Sequence, residues 1–159
     1  GVALGALAPD VIARTPPLPG WMGAPAPFAF DATRLPLAGD ARRFTQATMS
    51  YISVAGLTTA LDQLLALRPD EIERHAARLR DRLLDAVEDR GWRPFHPRGS
   101  AAAAPHLVSL ARPGAPEEGL VARLRERGIV CGARGGRLRV SLAPYNDESD
   151  VAALAAALV

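Results

Sequence analysis

Apolar positions recur at helical spacing through residues 51–67 and 70–91, and from residue 92 onward they alternate in short runs of period two. In the first stretch Ile52, Leu57, Leu61, Leu64 and Leu65 mark a helix that Arg68-Pro69 ends, because a residue before proline is pushed out of the α region. A second helix is expected from Asp70, with Glu73 three residues on as its capping-box partner. Ile72, Ala76, Leu79, Leu83 and Val87 form its single apolar stripe, and Gly91 stands where a C-terminal cap belongs. Beyond it, WRPF (92–95), HLVSLAR (106–112), GIVCGA (128–133) and RLRVSLA (137–143) read as strands. The last two are joined through Gly135-Gly136, the residues a tight hairpin requires. Residues 116–127 read as a helix with Pro116 in its first turn and Gly128 at its end. A final helix begins near Asn146 or Asp147 and buries Val151, Leu154 and Leu158. Residues 92–159 are thus expected to form a small α/β sandwich: an antiparallel or mixed sheet with helices on one face.

The N-terminal third follows a different rule. Residues 1–13 read as an apolar strand with a turn near Ala8-Pro9-Asp10. Residues 15–43 carry Pro and Gly at a density that excludes regular structure, and so long a loop is usually functional or packed on something. The chain opens on this apolar run without methionine, which reads as truncation upstream.

Within LRVSLAPYN (138–146), Leu138, Val140 and Leu142 alternate with Arg139 and Ser141. If helices cover the apolar set, Arg139 faces the other way, toward solvent or toward an anionic ligand. A guanidinium grips a carboxylate through two parallel hydrogen bonds, which gives the second option its chemistry.

Composition narrows the classes. At 48% apolar and 23% charged the 159-residue chain is globular, long enough to bury a core, and without an apolar run of membrane-spanning length, so a soluble, cytoplasmic protein is expected. One cysteine, Cys131, excludes an intramolecular disulfide, and His75, His96 and His106 have no metal-ligand spacing, so no metal is expected. All 19 basic residues are arginine, so nothing here can form a lysine Schiff base. The net charge is only +2 and the arginines are interspersed with acids, as on a solvated helix face rather than a phosphate-tracking stripe. The single ARGGR (133–137) reads as a hairpin turn, not as a repetitive RNA-binding segment, and no nucleic-acid partner is expected.

GW (20–21), ARRFTQAT (41–48), AGL (55–57) and RGGRLRVSLAPYNDESDV (134–151) occur in an order that resembles the C-terminal portion of the class V aminotransferase family, fold type I enzymes that use pyridoxal 5'-phosphate. The resemblance runs over essentially the whole chain. Its most specific part is R-x-S-x-x-x-Y-N from Arg139 to Asn146. It implies an α/β fold in which 1–50 is a remnant of the large cofactor-binding domain with an active-site loop. Residues 51–69 would be a connecting helix and 70–159 the C-terminal small domain. It implies that Arg139 binds the carboxylate of an amino-acid substrate, with Ser141 and Tyr145 beside it. It implies that Thr48 binds the cofactor phosphate across a homodimer interface, and that Trp21 lines the active-site entrance. Ala47 replaces the glycine usual before that threonine, and a helix N-cap for 51–67 is the competing role for Thr48. The cofactor needs a lysine to hold it as an imine and an acid beside its pyridine nitrogen, and in the family both lie upstream. The chain alone is therefore expected to be inactive. Cys131, in an apolar run eight positions before Arg139, reads as a small buried hydrophobe, which disfavours desulfurase chemistry and leaves transamination, β-elimination or epimerisation. The alternative is a non-catalytic α/β ligand-binding or assembly module.

Overall fold

In the computed structural model, which describes residues 2–18, 20–31, 33–114 and 117–158, the period-two runs pair as one antiparallel sheet. Its strands are β1 (Arg93–Pro94), β2 (Leu107–Ala111), β3 (Gly132–Ala133) and β4 (Leu138–Ser141), in the order β1-β2-β4-β3. The chain divides into two compact units, Gly1–Gln63 and Leu64–Val159, and the sheet belongs to the second.

Register decides which residues meet the core. Val108 lies opposite Val140 and Leu110 opposite Leu138, and all four are buried. Because side chains alternate across a strand, the odd-numbered residues, Ser109 and Arg139 among them, occupy the other face. Three helices supply the rest of the core: α3 (Pro69–Val87) with Leu79, Leu83, Leu84 and Val87, α4 (Glu117–Glu126) with Leu120 and Leu124, and α5 (Glu148–Ala157) with Val151 and Leu154. Trp92, 2% exposed, closes the layer and donates from Nε1 to the carbonyl of Leu158 at 3.0 Å, so its one polar atom is satisfied inside the core. The sheet is thus covered by helices on one face, and the expected α/β architecture is present.

Several boundaries differ from the sequence reading. Helix α3 starts at Pro69 rather than Asp70, with proline at its first position and no side-chain capping bond. Arg68 takes the N-cap place at φ 61°, and Asp70 and Glu71 oppose the helix dipole instead of forming a capping box with Glu73. The runs WRPF and GIVCGA shrink to two paired residues each, because Ile129 and Cys131 pack against the core rather than joining a ladder. Helix α4 ends at Glu126, one residue short of the expected 127, and Gly128, φ 75°, closes it as expected, whereas Pro116 lies outside the described residues.

In the Gly1–Gln63 unit the expected strand over 1–13 is not formed. Residues 2–8 are irregular and α1 (Pro9–Arg14) follows, since Pro9 presets the first helical φ and no strand among the described residues offers 2–8 a ladder. The described residues of 15–43 are irregular apart from short 3-10 turns at Trp21–Gly23, Pro27–Ala29 and Ala41–Phe44. Helix α2 (Tyr51–Ala66) forms where its pattern places it, yet it buries no residue within this chain, and Ile52 is 83% exposed.

These burial differences fix two stability outcomes. Leu83→Ala should cost about 2–5 kcal/mol by opening a cavity under the sheet. Ile52→Ala, on an uncovered helix, should stay within about 0.5 kcal/mol of the parent. Urea unfolding of the full chain, followed by tryptophan fluorescence, measures both.

Candidate functional site

The Gly135-Gly136 turn holds Arg139 on the open face. Both glycines have positive φ, 56° and 74°, and the backbones of Arg134 and Arg137 exchange hydrogen bonds of 3.0 and 3.2 Å across them. That is the geometry of a two-residue hairpin, and it pins the register. A slip by one residue would drive Arg139 into the core and expose Leu138. In the observed register Arg139 is flanked by Ser109 on β2 and Gly132 on β3. Both neighbours are small: a Cβ built on Gly132 would have Arg139 Cβ as its nearest contact, at 4.0 Å. Among the described residues no carboxylate lies within ion-pair distance of Arg139, while eight other arginines have one. Arg139 is exposed between these two small neighbours. That arrangement suits a planar anion approaching from outside.

The rest of the R-x-S-x-x-x-Y-N motif separates into surface and scaffold. Ser141 lies on the open face with Arg139, and Tyr145 is 86% exposed. Asn146 is structural, a role its sequence position did not reveal. Its Oδ1 accepts from the Ala143 N–H at 2.9 Å, its Nδ2 donates to Asp150 Oδ2 at 2.9 Å, and its carbonyl lies 2.8 Å from His75 Nε2 on α3. Asp147 then caps α5, accepting from the N–H groups of Ser149 and Asp150, with Asp150 returning the bond to the Asp147 N–H. These bonds hold the Asp147 carboxyl below the usual carboxylate range, the Ser149 hydroxyl contributing most. Side-chain amide chemistry at Asn146 was the one available signal for this turn.

In the Gly1–Gln63 unit the first two motif segments meet. Gly20 lies so close to the chain that a Cβ there would fall 2.0 Å from the Gln46 carbonyl oxygen, and a Cβ on Gly23 would meet the Arg43 carbonyl at 2.9 Å. Arg43 in turn donates from Nη1 to the carbonyl of Ile12 at 3.2 Å. Close backbone approach therefore explains both glycines. Thr48 follows this junction and is exposed. Ala47 is not among the residues with positive φ, so alanine sits there without backbone strain. The cap position of α2 belongs to Ser50, whose carbonyl accepts from the Val54 N–H at 3.0 Å and whose hydroxyl lies 3.0 Å from that of Ser53. Thr48 thus stands two residues ahead of the cap, with its hydroxyl uncommitted among the described residues. Trp21 meets Phe28 edge-to-face and stacks on Phe30, at centroid separations of 5.9 and 6.1 Å, beside an open groove of about 740 Å³ that Arg34 and Leu35 also line. Arg139 belongs to one unit and Thr48 and Trp21 to the other.

Cys131 is half-buried against the core, and burial pushes its thiol pKa up. A nucleophilic cysteine needs the opposite shift.

No protein-family model and no curated protein sequence matches the chain. Solved structures do. The cysteine desulfurase CsdA from Escherichia coli is 25% identical, with a TM-score of 0.77 over 95% of this chain and 40% of its own. The apo cysteine desulfurase from Thermococcus onnurineus NA1 is 19% identical, with a TM-score of 0.77 over 92% of this chain and 39% of its own. The cystine C–S lyase C-DES, solved with its product cysteine persulfide, is 24% identical, with a TM-score of 0.73 over 94% and 39%. The chain therefore spans about 40% of the length of the structures it matches, and its fold is that of the C-terminal portion of fold type I pyridoxal-phosphate enzymes.

The raised Cys131 pKa gives a direct chemical outcome. Iodoacetamide should alkylate Cys131 of the folded chain more slowly than that of the urea-unfolded chain at pH 8. The folded-state rate should also titrate above the ordinary thiol range. Equal rates would show a thiol open to solvent.

Proposed function

We propose that this chain is the C-terminal part of a pyridoxal-phosphate-dependent enzyme of the class V aminotransferase family that acts on an amino acid. The observation that carries the proposal is Arg139: an exposed arginine without an acidic partner among the described residues, held by register on the helix-free face of the sheet. In this reading residues 1–50 belong to the large cofactor-binding domain, 51–69 connect, and 70–159 form the small domain. The likeness to C-DES, another solved form of which has glycine covalently linked to its PLP cofactor, supports the cofactor assignment.

The residues present fit part of a cofactor site. Thr48 offers an exposed, uncommitted hydroxyl, the donor a phosphate oxygen takes, and in this reading it reaches the phosphate held by the other subunit of a homodimer. With no lysine in 159 residues, the imine linkage falls to a lysine outside this sequence. When bound, pyridoxal phosphate supplies an electron sink for bonds broken at the amino acid's α carbon. This chain's own task is orientation. Arg139 would hold the substrate carboxylate through two parallel hydrogen bonds and so fix the orientation of the amino acid. Trp21, packed with Phe28 and Phe30, forms an apolar wall that limits water at the entrance. The half-buried thiol of Cys131, its pKa pushed up by burial, argues against persulfide formation at that residue, leaving transamination, β-elimination or epimerisation.

In the lysine-bearing protein, Arg139→Ala should lower kcat/KM for the amino acid by an amount equivalent to about 2–4 kcal/mol while cofactor loading stays intact. Arg139→Lys should recover only part of that loss, because an ammonium cannot present the planar fork. Kinetics within twofold of the parent would return Arg139 to a solvated surface role and favour a non-catalytic module.

Thr48→Val should weaken cofactor affinity by about ten- to hundredfold, the worth of a hydrogen bond to a charged phosphate. Mixed dimers locate the effect. A subunit that keeps Thr48 but lacks the lysine should restore affinity in a partner that has the lysine and carries valine. Failure of that rescue would remove the cross-subunit role.

A further inference from the structure

Arg139 does not stand alone on the open face. The row through it runs Phe95–Ser109–Arg139–Gly132, set by the Phe95 N–H bond to the Ser109 carbonyl at 2.8 Å and by the β2–β4 and β3–β4 registers. One step back along the same strand direction, Arg137 shares this face. Residues 137, 139 and 141 alternate with the buried Leu138 and Val140. Its guanidinium carbon sits 4.1 Å from the centroid of the Phe95 ring, and its Nη1 donates to the Gly135 carbonyl at 3.3 Å. Stacking uses the flat face of the guanidinium and leaves Nε and Nη2 free to donate in plane. Among the described residues no carboxylate pairs with Arg137 either.

Two neighbouring guanidinium groups without an acid between them can be answered together by one ligand that carries two carboxylates. The Cα atoms of residues two apart on a strand are about 6.6 Å apart, and the row through Arg139 carries the small Ser109 and Gly132 on either side of it. We infer that the substrate is an amino dicarboxylate, its α-carboxylate on Arg139 and its side-chain carboxylate on Arg137, with Phe95 as the positioning residue that holds the Arg137 fork flat. This rests on the carboxylate-binding role of Arg139 and adds to it a second, specificity-determining contact. A monocarboxylate amino acid would leave Arg137 unanswered. Such a site rejects the analogue that lacks the group it is built to bind.

The test titrates the full chain with aspartate and with alanine, which differ by one carboxylate, and follows the arginine Nε–H resonances by NMR. Aspartate should move both Arg137 and Arg139, alanine only Arg139, and aspartate should bind about tenfold more tightly. Arg137→Gln and Phe95→Leu should each remove that advantage and leave alanine binding unchanged. Arg134→Gln, which removes an equal charge from the hairpin, should leave the advantage in place. If Arg134→Gln abolishes it as fully as Arg137→Gln, the preference is a diffuse charge effect and the subsite is wrong. An Arg139 that responds equally to both ligands, with Arg137 silent, also overturns the subsite but leaves the α-carboxylate role standing. An Arg139 silent to both ligands overturns that role itself, and the subsite with it.

Discussion

The pairing of β2 with β4 is the constraint on which the open face depends. Val108 opposite Val140 and Leu110 opposite Leu138 bury one row of each strand against three helices. Since strand geometry alternates, that burial fixes the opposite row in the same act. The hydrophobic effect acting on four aliphatic residues therefore places Arg139, Ser109 and Ser141 outward, without any polar contact having to hold them there. The hairpin at Gly135-Gly136 removes the remaining freedom, because only a turn with positive φ at both central residues joins β3 to β4 in this register.

From this follows a division of labour in the sequence. Residues facing the helices are chosen for volume, and Trp92 and Leu158 meet through a hydrogen bond that satisfies the one indole donor. The turn after β4 is chosen for hydrogen bonding: Asn146, Asp147 and Asp150 close a local network that starts α5 and ties it to His75 on α3. On the open face Arg137 and Arg139 have no acidic partner among the described residues. Elsewhere Arg82 pairs with Glu148 across helices, and Arg98 with Asp85 and Glu88.

Much of this was legible from the sequence because period and turn chemistry are local. The stripe on α3, the paired glycines, and the alternation around Arg139 each needed only a few neighbouring residues to interpret. What escaped depended on distant partners. Residues 2–8 have a strand-like composition but no strand to pair with among the described residues, so composition misled. Pro69 rather than Asp70 begins α3, because proline's fixed φ suits the first helical position and its missing N–H would have no partner there. Gly20 and Gly23 looked like loop glycines, and only the approach of Arg43 to Gln46 explains them. For the candidate site, Arg139 and Thr48 could be named from a motif. That Arg137 is held against Phe95 could not, since the two are 42 positions apart and meet only through the sheet.

The central claim is that Arg139 receives a substrate carboxylate. A crystal structure of the lysine-bearing protein with an amino-acid substrate analogue in place tests it most directly. The account requires a bidentate contact, both guanidinium edge nitrogens at roughly 2.7–2.9 Å from the analogue's α-carboxylate oxygens. It also requires the sheet register around Ser109 and Gly132 to be unchanged. An analogue whose carboxylate is bound elsewhere, with Arg139 turned to solvent, would contradict it.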